Sequence, residues 1–542
     1  MGRKWEILLL GVIAFCAFFV FNGEQSANIM EARNFTTARE IVQEGNWLMP
    51  TMNGELRLEK PPLPTWVAAI TMHIFGIYNL SALRFATGIM GVLIMVFLYL
   101  LVAQMTKDRW LPFYSAATVA TSFYVYFLAR TGTWDIYCHA FMLGAIGLLY
   151  RMWSNNRSSM TGYSMAGVLM GLSFLSKGPV AFFALLLPFL VAYFICFNRE
   201  IPLKQWRGII VMISIVLVIS LWWPLYIYMA HPEALEEVTN KEAGAWLNRH
   251  VRPWYHYWSF PVQSGVWALV AFLVIVFPYA GKRIKQLIHY RFILLWILIS
   301  VFLLSLMPEK KERYLMPVLI PLAILIAGYF RYLVIAFKEV SYPKVDRHIF
   351  RALTVILGVV CLAVPFIVLI KDRDLNQFSF LVELMVFIVF WMFAGGFVYA
   401  LKNTNVSITW GLIVAMVCAV NILVLPGIQE GYITNNEYHP IEELRGAEIL
   451  ENKPVYFHND SVRIEVVWEL GKKIKMHEFD KDLSPLKDLP IVMLSNEDPE
   501  DFLPDSILET IHIEKIGRFD NNMNNRRRNK LFENTVSVIK KR

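Results

Sequence analysis

The stretch 85–104, FATGIMGVLIMVFLYLLVAQ, runs for 20 residues without a charged side chain. About 20 apolar residues are enough for a helix to cross the hydrocarbon core of a bilayer, which is about 30 Å thick. Similar stretches follow one another from Ile7 to about Leu425, and the charged residues are concentrated in the gaps between them. Hydrophobic residues make up 56% of the 542 residues, and the mean hydropathy is +0.47. These values predict a polytopic α-helical membrane protein.

Assigning the apolar runs one by one predicts about 13 transmembrane helices. A shorter amphipathic stretch, 63–77, is interrupted and is not counted as a span. The predicted spans lie near 5–22, 81–104, 110–130, 134–150, 160–176, 180–197, 208–230, 263–280, 291–307, 314–335, 351–370, 377–401 and 407–425.

The distribution of basic residues predicts the orientation of these spans. Lys and Arg cluster in every second gap, for example at Arg3-Lys4, Lys107 with Arg109, and Lys282-Arg283 with Lys285. Cytoplasmic loops carry such an excess of positive charge. The net charge of +8 is therefore attributed to membrane topology. Because no contiguous basic face is visible, a role in nucleic-acid binding is excluded.

An odd number of spans that starts inside the cell predicts that the C-terminal tail lies outside the cytoplasm. In a bacterium, the protein would then be a multi-pass inner-membrane protein with its tail in the periplasm. We predict two domains, a transmembrane part of 1–426 and a soluble α/β domain of 427–542 with short strands near 455–457, 472–476, 491–494 and 511–516. A first outer loop, 23–61, and a later one, 231–262, would face the same side as the tail.

A proline-rich motif, Glu59-Lys60-Pro61-Pro62, lies at the end of the first outer loop. Prolines fix an extended backbone and prevent a helix from forming before them, so the motif holds an acid and a base at the mouth of the membrane part. The alternative is an ordinary loop in which both side chains are solvated.

Two carboxylates stand out as candidate functional groups. Glu31 begins a segment with helical character, where its carboxylate could simply favour the helix N-terminus. Asp135 and Lys177 lie directly against apolar runs, where ionisable groups are costly and often functional. For Asp135 the alternative role is a helix N-cap; otherwise Arg33, Lys60 or a bound cation would be its partner.

The chain resembles the family of protein mannosyltransferases and 4-amino-4-deoxy-L-arabinose lipid A transferases, which are GT-C glycosyltransferases. The resemblance rests on motifs spread over the membrane part: Glu31, Arg33, Ala38-Arg39-Glu40, Gly45-Asn46-Trp47, Pro50, Glu59-Lys60-Pro61-Pro62, Asp135, Ser176-Lys177-Gly178-Pro179, His250 before Pro253-Trp254-Tyr255, and Arg313-Tyr314-Leu315-Met316-Pro317. It implies a polyprenyl-phosphate sugar donor and an inverting transfer to a lipid, glycan or protein acceptor on the periplasmic face.

The resemblance also implies roles for individual residues. Glu31 and Asp135 would lie near the reacting carbon, where an inverting transfer needs a carboxylate to take the acceptor proton. The donor phosphate would be held by basic and phenolic side chains: Arg33, Lys60, Tyr314, Lys177 and Arg313. Glu59 and His250 match a pair that coordinates zinc in one branch of the family, although two ligands alone leave a zinc shell incomplete.

The chain departs from the family pattern at one position. The first loop of the family usually opens with an Asp-Glu pair, whereas this chain has Met30-Glu31. A methionine cannot accept a proton, so Glu31, Glu24 or Asp135 would have to be the base. We expect Asp135 and Glu31 to share one active site.

Two other functional classes were weighed against a glycosyltransferase. A transporter or flippase tends to carry polar residues near the bilayer midplane and to consist of repeated halves. The charged residues here collect at one membrane face, and the sequence shows no such halves. A non-catalytic scaffold that acts through its C-terminal domain would leave the motif at Glu59 and the position of Asp135 unexplained.

Overall fold

The computed structural model describes residues 3–197, 200–338, 343–375, 379–426, 433–525 and 528–542. The chain divides into two compact units. The first unit contains Met1–Glu24, Leu58–Val67 and Tyr78–Pro426, and the second contains Gln25–Arg57, Ala68–Ile77 and Gly427–Arg542. Residues 427–432, at the predicted start of the tail, lie outside the described residues.

Helices account for most of the described part of the chain, as the apolar runs predict. In chain order they are α1 (Arg3–Phe18), α2 (Ile29–Glu44), α3 (Leu63–Phe75), α4 (Leu80–Met105), α5 (Leu111–Ala120), α6 (Phe123–Ala129), α7 (Asp135–Ser154), α8 (Met160–Lys177), α9 (Leu187–Cys196), α10 (Glu200–Lys204), α11 (Trp206–Ala230), α12 (Pro232–Asn248), α13 (Ala268–Val274), α14 (Phe277–Ile284), α15 (Tyr290–Leu306), α16 (Met316–Ala336), α17 (Lys344–Leu375), α18 (Phe380–Lys402), α19 (Val406–Ala419), α20 (Ile464–Leu470), α21 (Pro499–Phe502) and α22 (Asp505–Leu508).

Within the described ranges, seven helical stretches are long and apolar enough to cross a membrane, judged by length and composition. They are Leu80–Met105, Trp206–Ala230, Trp254–Val274, Glu312–Ala336, Lys344–Ile370, Phe380–Lys402 and Val406–Val424. The stretch that contains α16 is the most enclosed, with 83% of its apolar window buried, whereas only 17% of the α11 window is buried. The α16 stretch is therefore enclosed by its neighbours in the first unit, whereas most of the α11 side chains are not buried within it.

Several predicted spans are not continuous α-helices. The run 110–130 consists of α5 and α6, which are separated at Thr121-Ser122. Trp267 Nε1 donates a hydrogen bond to Thr121 Oγ1 at 3.0 Å at this break. The run 263–280 passes from a 3₁₀ segment, in which Gly265 has a φ of 68°, into α13 and α14. A side-chain hydrogen bond at Thr121 and the positive φ of Gly265 accompany these interruptions. A hydropathy pattern does not reveal either feature.

The proline-rich motif behaves as predicted. The described backbone is not helical from Arg57 to Pro62, and α3 begins at Leu63, directly after the second proline. Proline at the start of a helix is tolerated because the first N–H groups have no partner within the helix.

The second unit contains a five-stranded sheet with the order β4-β3-β5-β7-β6. The unit also holds the short antiparallel pair β1 (Thr51–Met52) and β2 (Glu55–Leu56). The sheet strands are β3 (Val455–His458), β4 (Ile474–His477), β5 (Ile491–Ser495), β6 (Ile511–Asp520) and β7 (Glu533–Lys541).

Strand β3 pairs in parallel with β4 and β5, and β7 runs antiparallel between β5 and β6. Each of the four predicted strand segments overlaps an observed strand, and the prediction missed β7. Strand β7 was missed because polar residues alternate with its apolar ones and make the apolar pattern weak. Val536, Val538 and Ile539 of this strand are nevertheless buried.

Candidate active site

Asp135 and Lys177 form a buried ion pair in the first unit. Asp135 is the first residue of α7, Lys177 is the last residue of α8, and the two helices pack against each other. Lys177 Nζ donates a hydrogen bond to Asp135 Oδ1. Their side chains are 2% and 10% exposed, respectively. A carboxylate at a helix N-terminus and an ammonium at a helix C-terminus are also both favoured by the helix dipoles.

The structure does not support the alternative in which Asp135 is a helix N-cap. Trp134 occupies the N-cap position of α7, and no side chain in the described part of the chain caps this helix with a hydrogen bond. Oδ2 of Asp135 is buried and has no hydrogen-bond partner among the described residues. One oxygen is thus held by Lys177, whereas the buried Oδ2 keeps an unused capacity to accept a hydrogen bond.

Lys177 is the partner of Asp135, in the place where the sequence predicts Arg33, Lys60 or a bound cation. The role of Lys177 in supporting the donor phosphate stays a prediction. The structure pairs Asp135 with Lys177 itself, because the start of α7 and the end of α8 meet at one end of this helix pair.

Tyr314 lies beside this ion pair with a group of cations around its ring. It belongs to the 3₁₀ turn Glu312–Leu315, which leads directly into α16. Lys177 Nζ is 4.8 Å from the centre of the Tyr314 ring, and Lys311 Nζ is 5.8 Å from it. The guanidinium carbon of Arg313 is 5.7 Å from the same ring and is close enough to act electrostatically on Asp135. Four predicted site residues, Asp135, Lys177, Arg313 and Tyr314, are therefore brought together.

A second ion cluster supports the turn that carries Tyr314. Glu309 is buried and accepts hydrogen bonds from Lys311 Nζ at 2.7 Å and from Arg249 Nε at 3.0 Å. Burial alone raises the pKa of Glu309, but the contacts with Lys311 and Arg249 outweigh it and hold the pKa below its usual range. The Tyr257 hydroxyl also bonds to both the backbone N–H and the carbonyl of Lys311. The turn is thus fixed on both sides.

His250 contributes to this region through its backbone. Its φ is 51°, and its carbonyl accepts a hydrogen bond from Lys310 N at 3.1 Å. Val251 forms an isolated antiparallel bridge with Glu309. These contacts join the segment that follows α12 to the turn before Tyr314.

The predicted zinc ligands do not make a metal shell within the described residues. Lys241 Nζ lies 3.2 Å from Glu59 Oε1, so Glu59 is paired with a cation. Among the described residues no group of three or more His, Cys, Asp or Glu side chains is arranged to hold a metal. Glu59 and His250 alone are fewer ligands than a zinc site needs.

Lys60 and the outer-loop residues lie in different units. Lys60 is half-buried on the proline-rich segment of the first unit, whereas Glu31 and Arg33 lie on α2 of the second unit. The predictions that Lys60 and Arg33 bind phosphate, and that Glu31 shares a site with Asp135, stay predictions.

Glu31 takes part in a capping box at the start of α2. Asn28 is the N-cap, and its Oδ1 accepts from Glu31 N at 3.2 Å. In return, Glu31 Oε2 accepts from Asn28 N at 3.2 Å and from Asn28 Nδ2 at 2.8 Å. The helix-capping alternative for Glu31 is therefore observed, and this carboxylate is 1% exposed. Glu24, the other candidate base in this region, is exposed in the first unit.

The sequence reasoning missed two buried arginines in the first unit. Arg84 Nη1 donates to the carbonyl of Asn22 at 2.8 Å, and Arg130 donates to the carbonyls of Ala17 at 3.2 Å and Phe21 at 3.1 Å. They satisfy carbonyls at and beyond the end of α1. Their position in the sequence could have revealed them, because an arginine inside an apolar run is costly in a membrane.

Comparison with known proteins agrees with this picture. The family model described as dolichyl-phosphate-mannose-protein mannosyltransferase matches residues 59–223. An uncharacterized protein of Aquifex aeolicus is 26% identical over 337 residues, which are 61% of this chain and 64% of that protein. The undecaprenyl phosphate-alpha-4-amino-4-deoxy-L-arabinose arabinosyl transferase of Pseudomonas savastanoi is 28% identical over 305 residues, 55% of this chain and 56% of that protein. The matched part thus spans less than two thirds of these curated relatives.

The fold is shared over almost the whole chain with a solved structure. The crystal structure of ArnT from Cupriavidus metallidurans bound to undecaprenyl phosphate superimposes with a TM-score of 0.71 at 15% identity, covering 99% of this chain and 98% of that one. Its apo form gives a TM-score of 0.67 at 16% identity, with coverage of 99% and 97%. The chain therefore shares the fold of these ArnT structures, and the matches to the mannosyltransferase family model and to the arabinosyl transferase agree with the resemblance found in the sequence.

Proposed function

We propose that this chain is an integral-membrane glycosyltransferase that moves a sugar from a polyprenyl-phosphate-linked donor to an acceptor outside the cytoplasm. The observation that carries this proposal is the buried Asp135–Lys177 pair with Tyr314, Arg313 and Lys311 around it. One carboxylate oxygen without a partner beside several cations is the set of groups that transfer from a lipid phosphate requires.

The proposed reaction is a direct displacement with inversion. The acceptor hydroxyl loses its proton to a carboxylate, for which Oδ2 of Asp135 and the carboxylate of Glu31 are the candidates. The acceptor oxygen bonds to the anomeric carbon while the bond from that carbon to the phosphate oxygen breaks. The polyprenyl phosphate leaves with the bonding electrons, and its growing negative charge is stabilised by cations and by the Tyr314 hydroxyl.

The class of donor is supported by the comparisons. Several matching relatives are named undecaprenyl phosphate-alpha-4-amino-4-deoxy-L-arabinose arabinosyl transferases, and the crystal structure with the same fold holds undecaprenyl phosphate. We propose a polyprenyl-phosphate sugar of this kind as the donor. The acceptor would be lipid A, another glycan or a protein.

The proposal includes a topology of about 13 spans, with the active site and the C-terminal domain on the periplasmic face of the inner membrane. The alternation of basic clusters between the apolar runs supports it. Reporter fusions after Arg542 and in the loop that carries Lys282 test this topology. The two fusions should report opposite compartments, and the same compartment for both would contradict it.

Zinc is not needed for any step of this proposal. Glu59 and His250 remain predicted ligands, and metal analysis of the purified chain and of a Glu59→Ala variant tests them. Zinc that is bound to the wild type and lost in the variant would establish Glu59 as a ligand. Equal zinc content in both proteins would exclude Glu59 as a ligand.

A transfer assay tests the function directly. The purified full chain is incubated with undecaprenyl-phosphate-linked aminoarabinose or mannose and with lipid A, glycan or protein acceptors. Release of undecaprenyl phosphate together with a mass increase of one acceptor is the expected result. Movement of intact donor across vesicles without release would instead support a flippase. Lipid and glycan profiles of a deletion strain would identify the natural acceptor.

A further inference from the structure

The motif Ala38-Arg39-Glu40 and the turn Asn53-Gly54 have no role in the proposed chemistry, yet they make the most extensive buried polar contacts of the first outer loop. Arg39 and Glu40 are both 0% exposed. Burying charged side chains this completely is costly unless they are hydrogen-bonded. Their partners therefore indicate what the loop is built to do.

Glu40 connects α2 to the β1–β2 hairpin. Its carboxylate accepts hydrogen bonds from the backbone N–H of Asn53 at 2.7 Å, from that of Gly54 at 3.1 Å, and from Thr51 Oγ1 at 2.7 Å. Asn53 and Gly54 have φ values of 57° and 87°. Positive φ at both positions is typical of a type I′ turn, for which Asn-Gly is the preferred pair. Glu40 thus fixes the turn on the helix.

Asn53 connects this turn to the edge of the C-terminal sheet. Its Nδ2 donates to the carbonyl of Ile474 at 2.7 Å, and its Oδ1 accepts from Ile474 N at 2.8 Å. Ile474 is the first residue of β4, which is an edge strand of the five-stranded sheet. The carboxamide therefore takes the place of a paired peptide unit and satisfies backbone groups that an edge strand otherwise exposes.

Further contacts join α2 to the same domain. Arg39 Nη1 donates to the carbonyl of Val467 on α20 at 3.0 Å. The rings of Phe35 and Trp468 are 5.5 Å apart and are both buried. Lys473 forms an ion pair with Glu44 at the end of α2. The loop segment 25–57 and the C-terminal domain are consequently parts of one compact unit, although contacting residues such as Arg39 and Val467 are 428 positions apart in sequence.

We infer that the C-terminal α/β domain acts as the support that positions the first outer loop, with Asn53, Arg39 and Glu40 as positioning residues for Glu31 and Arg33 on α2. This inference rests on the proposed function, in which Glu31 is a candidate base, and on the prediction that Arg33 holds the donor phosphate. Asn53 sets the register between the β1–β2 hairpin and β4. Its carboxamide can pair with the N–H and the carbonyl of only one residue at a time, and that residue is Ile474.

The variant Asn53→Gly tests the inference cleanly. Glycine adopts positive φ without strain and preserves the type I′ turn, so the substitution removes the carboxamide alone. Asn156→Gly is the matched control, because Asn156 is also left-handed with a φ of 48°, is exposed, and has no side-chain hydrogen-bond partner among the described residues. Hydrogen exchange and transfer kinetics are measured on both full-length variants and on the wild type.

In Asn53→Gly the amides of α2 and of Ile474 should exchange several-fold faster, while those of β5 and β7 keep their protection. The KM for the lipid-linked donor should rise and kcat should fall several-fold, with an unchanged KM for the acceptor. Asn156→Gly should match the wild type in every measurement. A merely structural role for Asn53 would lower the amount of active protein and leave both KM values as they are.

Unchanged exchange at α2, or wild-type kinetics despite faster exchange, would overturn the inference. If the wild type itself releases no polyprenyl phosphate, the proposed function fails, and the exchange data alone decide whether Asn53 holds the loop. If Asn53→Gly does not accumulate, Asn53→Asp tests the same bridge, since it keeps the turn and the acceptor oxygen but loses the amide donor.

Discussion

Asp135 and Lys177 share one hydrogen bond in a place where neither charge is well hydrated. Removing both partners of a buried pair is often tolerated, whereas removing one leaves an uncompensated charge. We therefore expect two separate contributions from the pair, one to stability through Lys177 and one to chemistry through Oδ2 of Asp135, which has no hydrogen-bond partner among the residues described. Substitutions can tell these contributions apart.

Lys177→Met should destabilise the protein by about 3–5 kcal/mol, because it leaves the Asp135 carboxylate buried without its partner. The double variant Asp135→Asn with Lys177→Met should recover much of this loss in thermal unfolding in detergent, yet remain inactive. Lys107→Met, at an exposed lysine, is the control and should change stability by less than about 0.5 kcal/mol. Additive effects of Asp135→Asn and Lys177→Met would show that the two residues do not interact.

Lys60→Ala should affect catalysis more than folding. A charge-assisted hydrogen bond to phosphate contributes about 1.5–3 kcal/mol, so its loss should lower kcat/KM for the lipid-linked donor by about ten- to hundredfold. Lys285→Ala serves as the control, since Lys285 is exposed and lies in a basic cluster predicted to face the cytoplasm. Normal turnover by a folded Lys60→Ala protein would show that Lys60 does not bind the donor phosphate.

The sequence predicted which residue types matter at this site better than it predicted their partners. Asp135 and Lys177 were identified because ionisable residues beside apolar runs are conspicuous, whereas Arg313 and Tyr314 were identified only through the family resemblance. That Lys177 pairs with Asp135 could not be predicted, since the pair depends on the start of α7 meeting the end of α8, 42 residues further along the chain. Glu309 was passed over because its neighbours in sequence suggested an ordinary charged loop.

At the scale of helices and strands, close helix packing depends on small residues that the hydropathy pattern does not weigh. Gly167 and Gly171 on α8 are spaced as in the G-x-x-x-G motif of membrane helix pairs. A Cβ at Gly171 would lie 2.6 Å from Ile219 on α11, and one at Gly167 would lie 2.8 Å from the carbonyl of Met212. This spacing was visible in the sequence, but its packing partner was not.

Gly171→Leu should therefore weaken the packing of α8 against α11 and destabilise the protein by about 1–3 kcal/mol. Gly147→Leu on α7 is the matched control, because a Cβ there has no neighbour within 4 Å. It should be neutral or slightly stabilising, since leucine is the better helix former. Equal apparent melting temperatures of the two variants in detergent would contradict a tight α8–α11 contact.

Glu469 on α20 gives the second unit a predictable pH dependence. Burial and the nearby Glu442 carboxylate raise the pKa of Glu469 to about 8, whereas its unfolded value is about 4.5. The neutral acid is thus favoured in the folded state, so its contribution is complete below about pH 4.5 and is lost as the pH rises towards 8.

Glu469→Gln should remove this dependence. The variant should gain thermal stability relative to the wild type as the pH is raised from 5 to 9, with little difference at pH 5. A difference that is constant across this range, or one that favours the wild type at high pH, would show that the carboxyl ionises normally in the folded protein.

At the scale of the whole molecule, the division of the chain is the feature that sequence reasoning predicted least well. The apolar runs and the strand segments of the tail follow local patterns, and most were recognised. The prediction assigned 1–426 to one part and 427–542 to another, whereas 25–57 and 68–77 group with the tail. That grouping depends on long-range contacts such as Arg39 with Val467, which no local pattern reveals.

We propose that this membrane protein catalyses transfer from a lipid phosphate with Asp135 in the active site. The most direct measurement compares the release of undecaprenyl phosphate by the wild type and by Asp135→Asn, each incubated with lipid-linked sugar and acceptor. Asparagine keeps the shape of the side chain and can still contact Lys177, but it cannot accept a proton. The account predicts turnover by the wild type and a loss of at least about a hundredfold in a folded Asp135→Asn protein. Equal turnover by both proteins would contradict it.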